Sequence, residues 1–241
     1  MLRKSLNNDD IFLDYVSNEE TVLDFGCGVG NLILHLKGNC KKVVGCDIAK
    51  FILNKDLIAD GLEIDKDIFL SSEDKLPFLN KFDVILSDQV FEHVKDHKKT
   101  LIMLSSSLID KGRIYLNFPT KEILIEPHLL LPLIHRFKFS KFLVRFYLKL
   151  FYSYKLLLRM DNYKSFNKII DLKNDYLFEK TNYLKKKELI SICSQLNLSC
   201  KDLSKEFVTK KYQHNLILKI IFFFIPSRYL TSSFFEIKKN N

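Results

Sequence analysis

A glycine-rich segment near the start of the chain has the residue types and spacing of a ligand-binding loop. Gly26, Gly28 and Gly30 follow directly on an apolar run that ends in Asp24 and Phe25. Backbone without side chains can approach a ligand closely, and the N–H groups at the start of a helix point toward whatever lies there. The segment therefore predicts a loop that contacts a flat or anionic group.

Three polar residues near this loop indicate which ligand it binds. The dinucleotide fingerprint G-x-G-x-x-G needs glycine or alanine where this chain has Asn31. A carboxylate at Asp24 would repel a pyrophosphate, whereas it would attract a cationic amine. Asp47 ends the next apolar run, where a carboxylate accepts hydrogen bonds from ribose hydroxyls, and this acid would serve either kind of ligand. The pattern therefore favours a ligand that carries a cationic amine over a nicotinamide dinucleotide.

Hydrophobic periodicity predicts that a parallel sheet with helices on both faces positions these residues. The predicted strands cover 21–25, 41–47, 67–74, 82–88, 113–118 and 199–204. The predicted helices cover 9–17, 48–61, 96–112 and 184–197, and the third of them begins after Asp96 and ends at Gly112. Residues 216–239 supply a closing strand or hairpin. We expect a single domain over residues 1–241, with a helical insertion at 119–183.

Composition excludes several classes of protein. The chain has 241 residues, 47% of them hydrophobic and 28% charged, so it is not a disulfide-stapled miniprotein, a disordered chain or a collagen-like repeat. Only 7 residues are glycine, and none follows Gly112. Residues 1–120 carry 15 basic and 19 acidic residues, a net −4, whereas 121–241 carry 23 and 10, a net +13. The overall net charge of +9 therefore belongs to the second half.

Cysteine usage and hydropathy predict a cytoplasmic protein. The 5 cysteines are odd in number, form no C-x-x-C pair and are too few for a disulfide framework. The N-terminus lacks the apolar core of a signal peptide. Charged residues interrupt every apolar run before it reaches the ~18–20 residues of a spanning helix. We expect no membrane span, and peripheral contact with the inner face of the membrane stays open.

With these features the chain resembles the class I S-adenosylmethionine-dependent methyltransferases. The glycine loop, Asp47, the segment SSEDKLPF (71–78) and the segment FDVILSDQVFEHV (82–94) occur in the order of that family. The resemblance implies S-adenosylmethionine as cofactor and a Rossmann-like α/β fold. That fold has a seven-stranded, mostly parallel sheet with helices on both faces, and here a helical insertion follows the fifth strand.

The resemblance also implies how the cofactor is held. Asp24 falls at the position that meets the methionine amino group, and Asp47 on the acid that binds the ribose. SSEDKLPF (71–78) resembles the loop that contacts adenine, and Ser72 stands where the family often has an acid, four residues before Leu76, so Glu73 or Asp74 would replace it. The implied cofactor-binding residues are Asp24, Gly26, Cys27, Gly28, Gly30, Asp47, Ile48, Glu73, Asp74 and Asp88.

His93 is the first candidate for chemistry on the methyl acceptor. If the nucleophile is a hydroxyl, a general base must take its proton, and histidine is the usual base. His93 follows the fourth predicted strand at the carboxyl edge of the sheet, where ligands bind. The alternative is that His93 only packs or caps the following turn.

His128 is the second catalytic candidate, and it lies in the segment FPTKEILIEPHLLLPLIHR (118–136). This segment resembles one seen after the fifth strand in some methyltransferases of bacterial cell-surface glycan clusters. That resemblance implies that Glu126, His128 and His135 line the acceptor pocket. A structural turn set by the prolines of the segment is the alternative. No set of metal ligands is predicted.

A basic aromatic stretch follows. Between His128 and Met160 there are seven basic residues and no acidic one, interleaved with aromatic residues. At about 100° per residue, most of the basic residues at 138–159 share one arc of a predicted helix, while the remaining circumference is largely apolar. Such a helix either caps the acceptor site or also lies against an anionic membrane surface. Nucleic acid is a weaker rival because no RNA-binding motif is present.

These observations predict an S-adenosylmethionine-dependent methyltransferase that acts on a small-molecule acceptor. We expect that acceptor to be a hydroxyl of a sugar or of a lipid-linked cell-surface precursor. Three alternatives stay open, namely an RNA methyltransferase, a nicotinamide-dependent oxidoreductase and a catalytically inactive cofactor-binding protein.

Overall fold

A computed structural model describes residues 8–48, 58–71, 76, 78–157, 163–213, 215 and 231–240. These residues form a Rossmann-like α/β fold, which confirms the predicted fold class. The large sheet contains β1 (Thr21–Phe25), β2 (Lys42–Ile48), β3 (Ile68–Ser71), β4 (Phe82–Asp88), β5 (Leu108–Phe118), β8 (Leu198–Asp202) and β9 (Ser233–Lys239). A small antiparallel sheet pairs β6 (Ile125–Glu126) with β7 (Leu131–Pro132).

The order of strands in the large sheet is β3-β2-β1-β4-β5-β9-β8. The pairs from β3 to β5 are parallel, and β9 runs antiparallel to both β5 and β8. The central strands are apolar almost throughout because both faces of the sheet are covered. Val22 and Leu23 of β1 and Ile85 of β4, for example, are completely buried.

Seven α-helices surround the sheets in the part of the chain that the structure describes. They are α1 (Asn8–Phe12), α2 (Asn31–Leu36), α3 (His97–Ser107), α4 (Lys141–Leu157), α5 (Tyr163–Asp175), α6 (Lys186–Gln195) and α7 (Ser204–Lys211). Helix α1 ends at Phe12, earlier than predicted, and a 3-10 turn over Leu13–Tyr15 follows it directly. The predicted helix at 48–61 and the run at 216–225 lie mostly or wholly outside the described residues.

The predicted end of α3 at Gly112 is wrong. The cap at its start is present, since Asp96 Oδ1 accepts the N–H of Lys99 at 3.0 Å, but the helix ends at Ser107. Gly112 lies within β5, where an added Cβ would be 2.9 Å from the carbonyl oxygen of Phe82. The pairing register of β4 and β5 also shifts beside Phe82. Glycine is therefore needed here for close approach of two strands, not to end a helix.

The segment between β5 and α6 has a small apolar core of its own. This core joins the β6–β7 turn to α4, α5 and a π-helical turn at Tyr176–Lys180, and its buried members are Leu129, Leu131, Ile134, Val144, Leu148, Ile170 and Leu177. The basic helix begins at Lys141, whereas the predicted one included Lys138. Lys138 precedes the helix, and its ammonium group donates to the backbone carbonyl of Thr181.

The described helices include none that is both long enough and apolar enough to cross a membrane.

Candidate active site

A cleft of ≈ 560 Å³ lies at the carboxyl ends of β1, β2 and β4. From β1 the chain continues to β2 and β3 on one side of β1, and it then returns to the other side of β1, where β4 and β5 lie. Such a reversal of strand order opens a crevice, and ligands of open α/β sheets bind there. Among the residues predicted to bind the cofactor, four line this cleft: Gly26, Gly28, Asp47 and Ile48.

The glycine loop forms one wall of the cleft. Gly26 and Gly28 have φ angles of +80° and +51°, in the left-handed region that favours glycine. A Cβ at Gly26 would be 2.3 Å from Cγ2 of Val90, so the loop packs tightly against the segment after β4. A Cβ at Gly28 would meet nothing within 4 Å, so the backbone there faces open space. The loop thus presents bare backbone to a ligand.

Asp24 lies at the end of β1 beneath this loop and is only 2% exposed. Its Oδ2 atom has no hydrogen-bond partner among the described residues. Burial, followed by the charges of Asp88, Asp47 and Asp9, raises the pKa of Asp24 well above its usual value. A buried carboxylate without a partner is costly, and a cationic group of a ligand would relieve that cost. The site is therefore suited to an ammonium group.

Asp47 is held at the end of β2 by the glycine loop itself. Its Oδ2 accepts the N–H of Gly28 at 2.7 Å, and its Oδ1 accepts the N–H of Ile48 at 2.6 Å. Each carboxylate oxygen keeps a second lone pair, so both can still accept from ligand hydroxyls. Burial raises the pKa of Asp47 despite these two bonds.

The other predicted cofactor residues lie away from the lining of the cleft or outside the described residues. Cys27 is buried against Gly45, and Gly30 precedes α2. Asp88 accepts hydrogen bonds from Asn8 and Asn117. Glu73 and Asp74 are not among the described residues.

The structure brings His93 and His128 together. Their ring centroids are 5.2 Å apart, and both rings contact the ring of Tyr176 in the π-helical turn. His93 lies in a 3-10 turn after β4 and also lines the cleft, whereas His128 lies in the turn between β6 and β7. The two candidate catalytic residues therefore meet from two segments that are separate in the chain, and His93 borders the cleft.

Glu92 completes this group, and the sequence analysis missed it. Its Oε1 is 3.5 Å from Nε2 of His128 and 3.8 Å from Nε2 of His93. The carboxylate of Glu92 raises the pKa of His128, although burial alone would lower it. The only hint in the sequence was that Glu92 precedes His93. Two residues adjacent in sequence need not point in the same direction, so this did not place Glu92 in the site.

Glu126 and His135 do not join the group in the way that the sequence suggested. The carboxylate of Glu126 is fully buried and accepts hydrogen bonds from the N–H of Leu129 and the hydroxyl of Tyr183. His135 packs on the ring of Tyr183, and its Nε2 is 3.3 Å from the carbonyl oxygen of Lys121. Both residues hold the β6–β7 turn in place, and that turn carries His128.

Comparison with known sequences identifies a family. The profile described as "Methyltransferase domain" matches residues 9–200 of this chain. An uncharacterized methyltransferase of Schizosaccharomyces pombe is 29% identical over 107 residues, which are 39% of this chain and 37% of that protein. The matched region therefore spans little more than a third of that relative's length.

Two solved structures show the same fold. The YcgJ protein of Bacillus subtilis has a TM-score of 0.55 and 14% identity, covering 97% of this chain and 98% of that one. Geranyl diphosphate C-methyltransferase of Streptomyces coelicolor, solved with Mg²⁺, geranyl diphosphate and S-adenosylhomocysteine, has a TM-score of 0.54 and 15% identity. That match covers 97% of this chain and 79% of the other.

Proposed function

The chain belongs to the methyltransferase-domain family, and we propose that it transfers a methyl group from S-adenosylmethionine to a hydroxyl of a small molecule. One observation carries this proposal, namely that an acid-flanked glycine loop and His93 line a single cleft, with the ring of His128 centred 5.2 Å from that of His93. S-adenosylmethionine supplies a methyl group on a sulfonium, which becomes a neutral thioether as the acceptor oxygen gains the methyl and loses its proton.

The residues around the glycine loop fit this cofactor. The Oδ2 atom of Asp24, which has no hydrogen-bond partner among the described residues, suits the methionine ammonium group, and Asp47 suits the ribose hydroxyls. Gly28 leaves room for the bound molecule. Because methyl transfer needs mainly alignment of the reacting atoms, holding the cofactor in one orientation is the chief task of these residues.

His93 and His128 are the groups that would assist removal of the acceptor proton. An oxygen nucleophile needs this help, which is typically worth about 10²–10⁴ in rate. His93 also lines the cleft, so it lies near both the cofactor side and the acceptor side. This position supports an oxygen acceptor over a carbon or nitrogen acceptor.

We further propose that the acceptor is a sugar or a lipid-linked precursor of the cell surface. Support comes from the likeness of residues 118–136 to segments of glycan-modifying methyltransferases and from an exposed apolar surface within the inserted segment at 119–183. We call this surface the α4 surface; it consists of Phe139, Phe142, Phe146 and Leu150, which are 59–79% exposed.

Transfer of labelled methyl groups tests the proposed function. We expect the purified protein and S-adenosyl[methyl-³H]methionine to label a polysaccharide or organic-extractable fraction from cells that encode this chain. The Asp24→Asn variant serves as the unlabelled control. Label in RNA instead would contradict the acceptor class. If S-adenosylhomocysteine binds but no fraction is labelled, the chain is an inactive cofactor-binding protein.

The α4 surface combines exposed apolar side chains with nearby lysines, a composition typical of helices that lie at a membrane interface. Phe142, Phe146 and Leu150 are spaced four positions apart, so they share one face of α4, and Phe139 lies two residues before the start of that helix. Lys141 and Lys149 are exposed on the same helix, whereas the guanidinium of Arg145 is paired with Asp171 of α5. We propose that the α4 surface binds the anionic inner face of the membrane, with exposed lysines rather than Arg145 supplying the charge.

Co-sedimentation with vesicles checks the membrane contact. We expect binding to anionic vesicles but not to neutral ones, and weaker binding at high salt. Each lysine near an anionic surface contributes about 1 kcal/mol, so Lys141→Glu with Lys149→Glu should weaken binding by at least about 30-fold. Lys41→Glu with Lys42→Glu is the matched control, because it changes the net charge equally at the amino end of β2. Equal losses in both double variants would contradict the α4 surface.

A further inference from the structure

Glu92 is a buried carboxylate with no hydrogen-bond partner in the described part of the chain. Its side chain is 0% exposed, and neither carboxylate oxygen accepts a hydrogen bond. Burying one unpaired carboxylate costs several kcal/mol. Two imidazole nitrogens lie close to Oε1 of Glu92, namely Nε2 of His128 at 3.5 Å and Nε2 of His93 at 3.8 Å. A positive charge between these three side chains would offset the free-energy cost of burying the Glu92 carboxylate.

A contact of the other ring nitrogen of His93, Nδ1, indicates whether the positive charge is a proton on Nε2 or a bound cation. Nδ1 of His93 is 2.6 Å from the carbonyl oxygen of Lys180. A carbonyl oxygen can only accept, so Nδ1 carries the proton and Nε2 of a neutral imidazole carries a lone pair. That lone pair and the Glu92 oxygen then face each other as two acceptors. An imidazole whose second nitrogen donates to a backbone carbonyl is the usual arrangement of a metal ligand.

We propose that Glu92, His93 and His128 bind one divalent transition-metal ion, of which Zn²⁺ is the best match. One ligand atom from each residue lies within 4.8 Å of the others. At zinc–ligand bonds near 2.0–2.1 Å, tetrahedral ligand atoms lie about 3.4 Å apart. The two contacts to Glu92, at 3.5 and 3.8 Å, are already close to that spacing. Rotation of the two partly exposed imidazoles would shorten the remaining distance, which joins the ligand nitrogens of His93 and His128.

This ligand set leaves the metal open on one side. Two histidines and one glutamate are three protein ligands, the number found in zinc sites that keep a position for water or substrate. The imidazoles are 33% and 28% exposed, and His93 lines the cleft. With the metal bound, the two imidazoles would act as ligands rather than as the base, and an acceptor hydroxyl in the open position would be more acidic and would release its proton to water. This last consequence rests on the proposed function, whereas metal binding itself does not.

Metal titration of tag-free, chelator-treated protein tests the inference. We expect calorimetry to show one Zn²⁺ or Co²⁺ per chain, and bound Co²⁺ to show visible absorption typical of nitrogen ligands. His128→Gln and Glu92→Gln should each weaken binding at least about tenfold. His35→Gln is the matched control, because His35 is 35% exposed and lies 3.3 Å from an acid, Asp10. It should bind metal like the wild type.

Two results would overturn the inference. One is failure of the wild-type protein to bind Zn²⁺ and Co²⁺; the other is binding that survives in folded His128→Gln and Glu92→Gln variants. Circular dichroism establishes that each variant is folded, and His93→Gln replaces any that is not. Thermal shifts with S-adenosylhomocysteine on the same samples separate the two proposals. In the wild-type protein, absence of that shift counts against the proposed function, whereas absence of metal binding with a normal shift counts against the metal site.

Discussion

Replacing Asp24 by asparagine is expected to weaken cofactor binding by roughly 30- to 4000-fold. The variant keeps the size of the side chain but removes the negative charge that would meet the cofactor's ammonium group. Removing one partner of a buried charge pair costs about 2–5 kcal/mol, and each 1.4 kcal/mol is tenfold in affinity. Calorimetry with S-adenosylhomocysteine, which keeps the ammonium group, measures the loss.

The same substitution should stabilise the protein without ligand. The folded-state pKa of Asp24 is raised above the ordinary 3.8, chiefly by burial. The folded protein therefore holds this proton more tightly than the unfolded chain does. The resulting stability is fully present below pH 3.8 and is lost as the pH rises through the raised pKa. Asparagine has no charge to bury, so the melting temperature of the Asp24→Asn variant at neutral pH should exceed that of the wild-type protein.

The pH dependence of binding follows from the same shift. A cationic ligand favours the ionised carboxylate, so binding releases a proton and affinity rises with pH through the raised pKa of Asp24. Asp83→Asn is the matched control, since Asp83 accepts the N–H of Thr21 at the opposite end of the sheet. Unchanged affinity in Asp24→Asn, or an equal loss in Asp83→Asn, would contradict the role assigned to Asp24.

Replacing His93 by glutamine is expected to lower methyl transfer by about 10²–10⁴-fold while the protein still binds S-adenosylhomocysteine. Glutamine preserves a polar side chain near Lys180 but cannot take a proton from an acceptor or bind metal as imidazole does. The measurement is the rate at which labelled methyl enters the acceptor fraction identified above. His35→Gln controls for loss of an exposed histidine outside the cleft. An unchanged rate in His93→Gln would show that His93 only packs against its neighbours.

The fold and the cofactor side of the site were largely predictable from the sequence. A buried parallel strand leaves a continuous apolar run, and a loop at its carboxyl end leaves glycines and an acid, so β1, Gly26, Gly28 and Asp47 are all visible locally. These signals depend on residues within one or two elements. The same reasoning failed at Gly112, because a glycine after a helix and a glycine between close strands look alike in one sequence.

The acceptor side was only partly predictable. His93 and His128 were each proposed as catalytic candidates, but nothing in the sequence showed that their rings lie 5.2 Å apart. Glu92 was missed because its burial depends on how the β6–β7 turn packs on the segment after β4. The pairing of Arg145 with Asp171 of the next helix was likewise not visible in the sequence, which showed only that Arg145 lies in the basic stretch at 138–159.

By itself the sequence determined the alternation of strands and helices, the glycine loop and the two acids at the ends of β1 and β2. Local apolar periodicity and backbone freedom specify these features, so neighbouring residues suffice to reveal them. Only the tertiary structure decided that β9 lies between β5 and β8 and that Glu92, His93 and His128 share one site. Those features depend on packing between segments far apart in the chain, which local patterns do not encode.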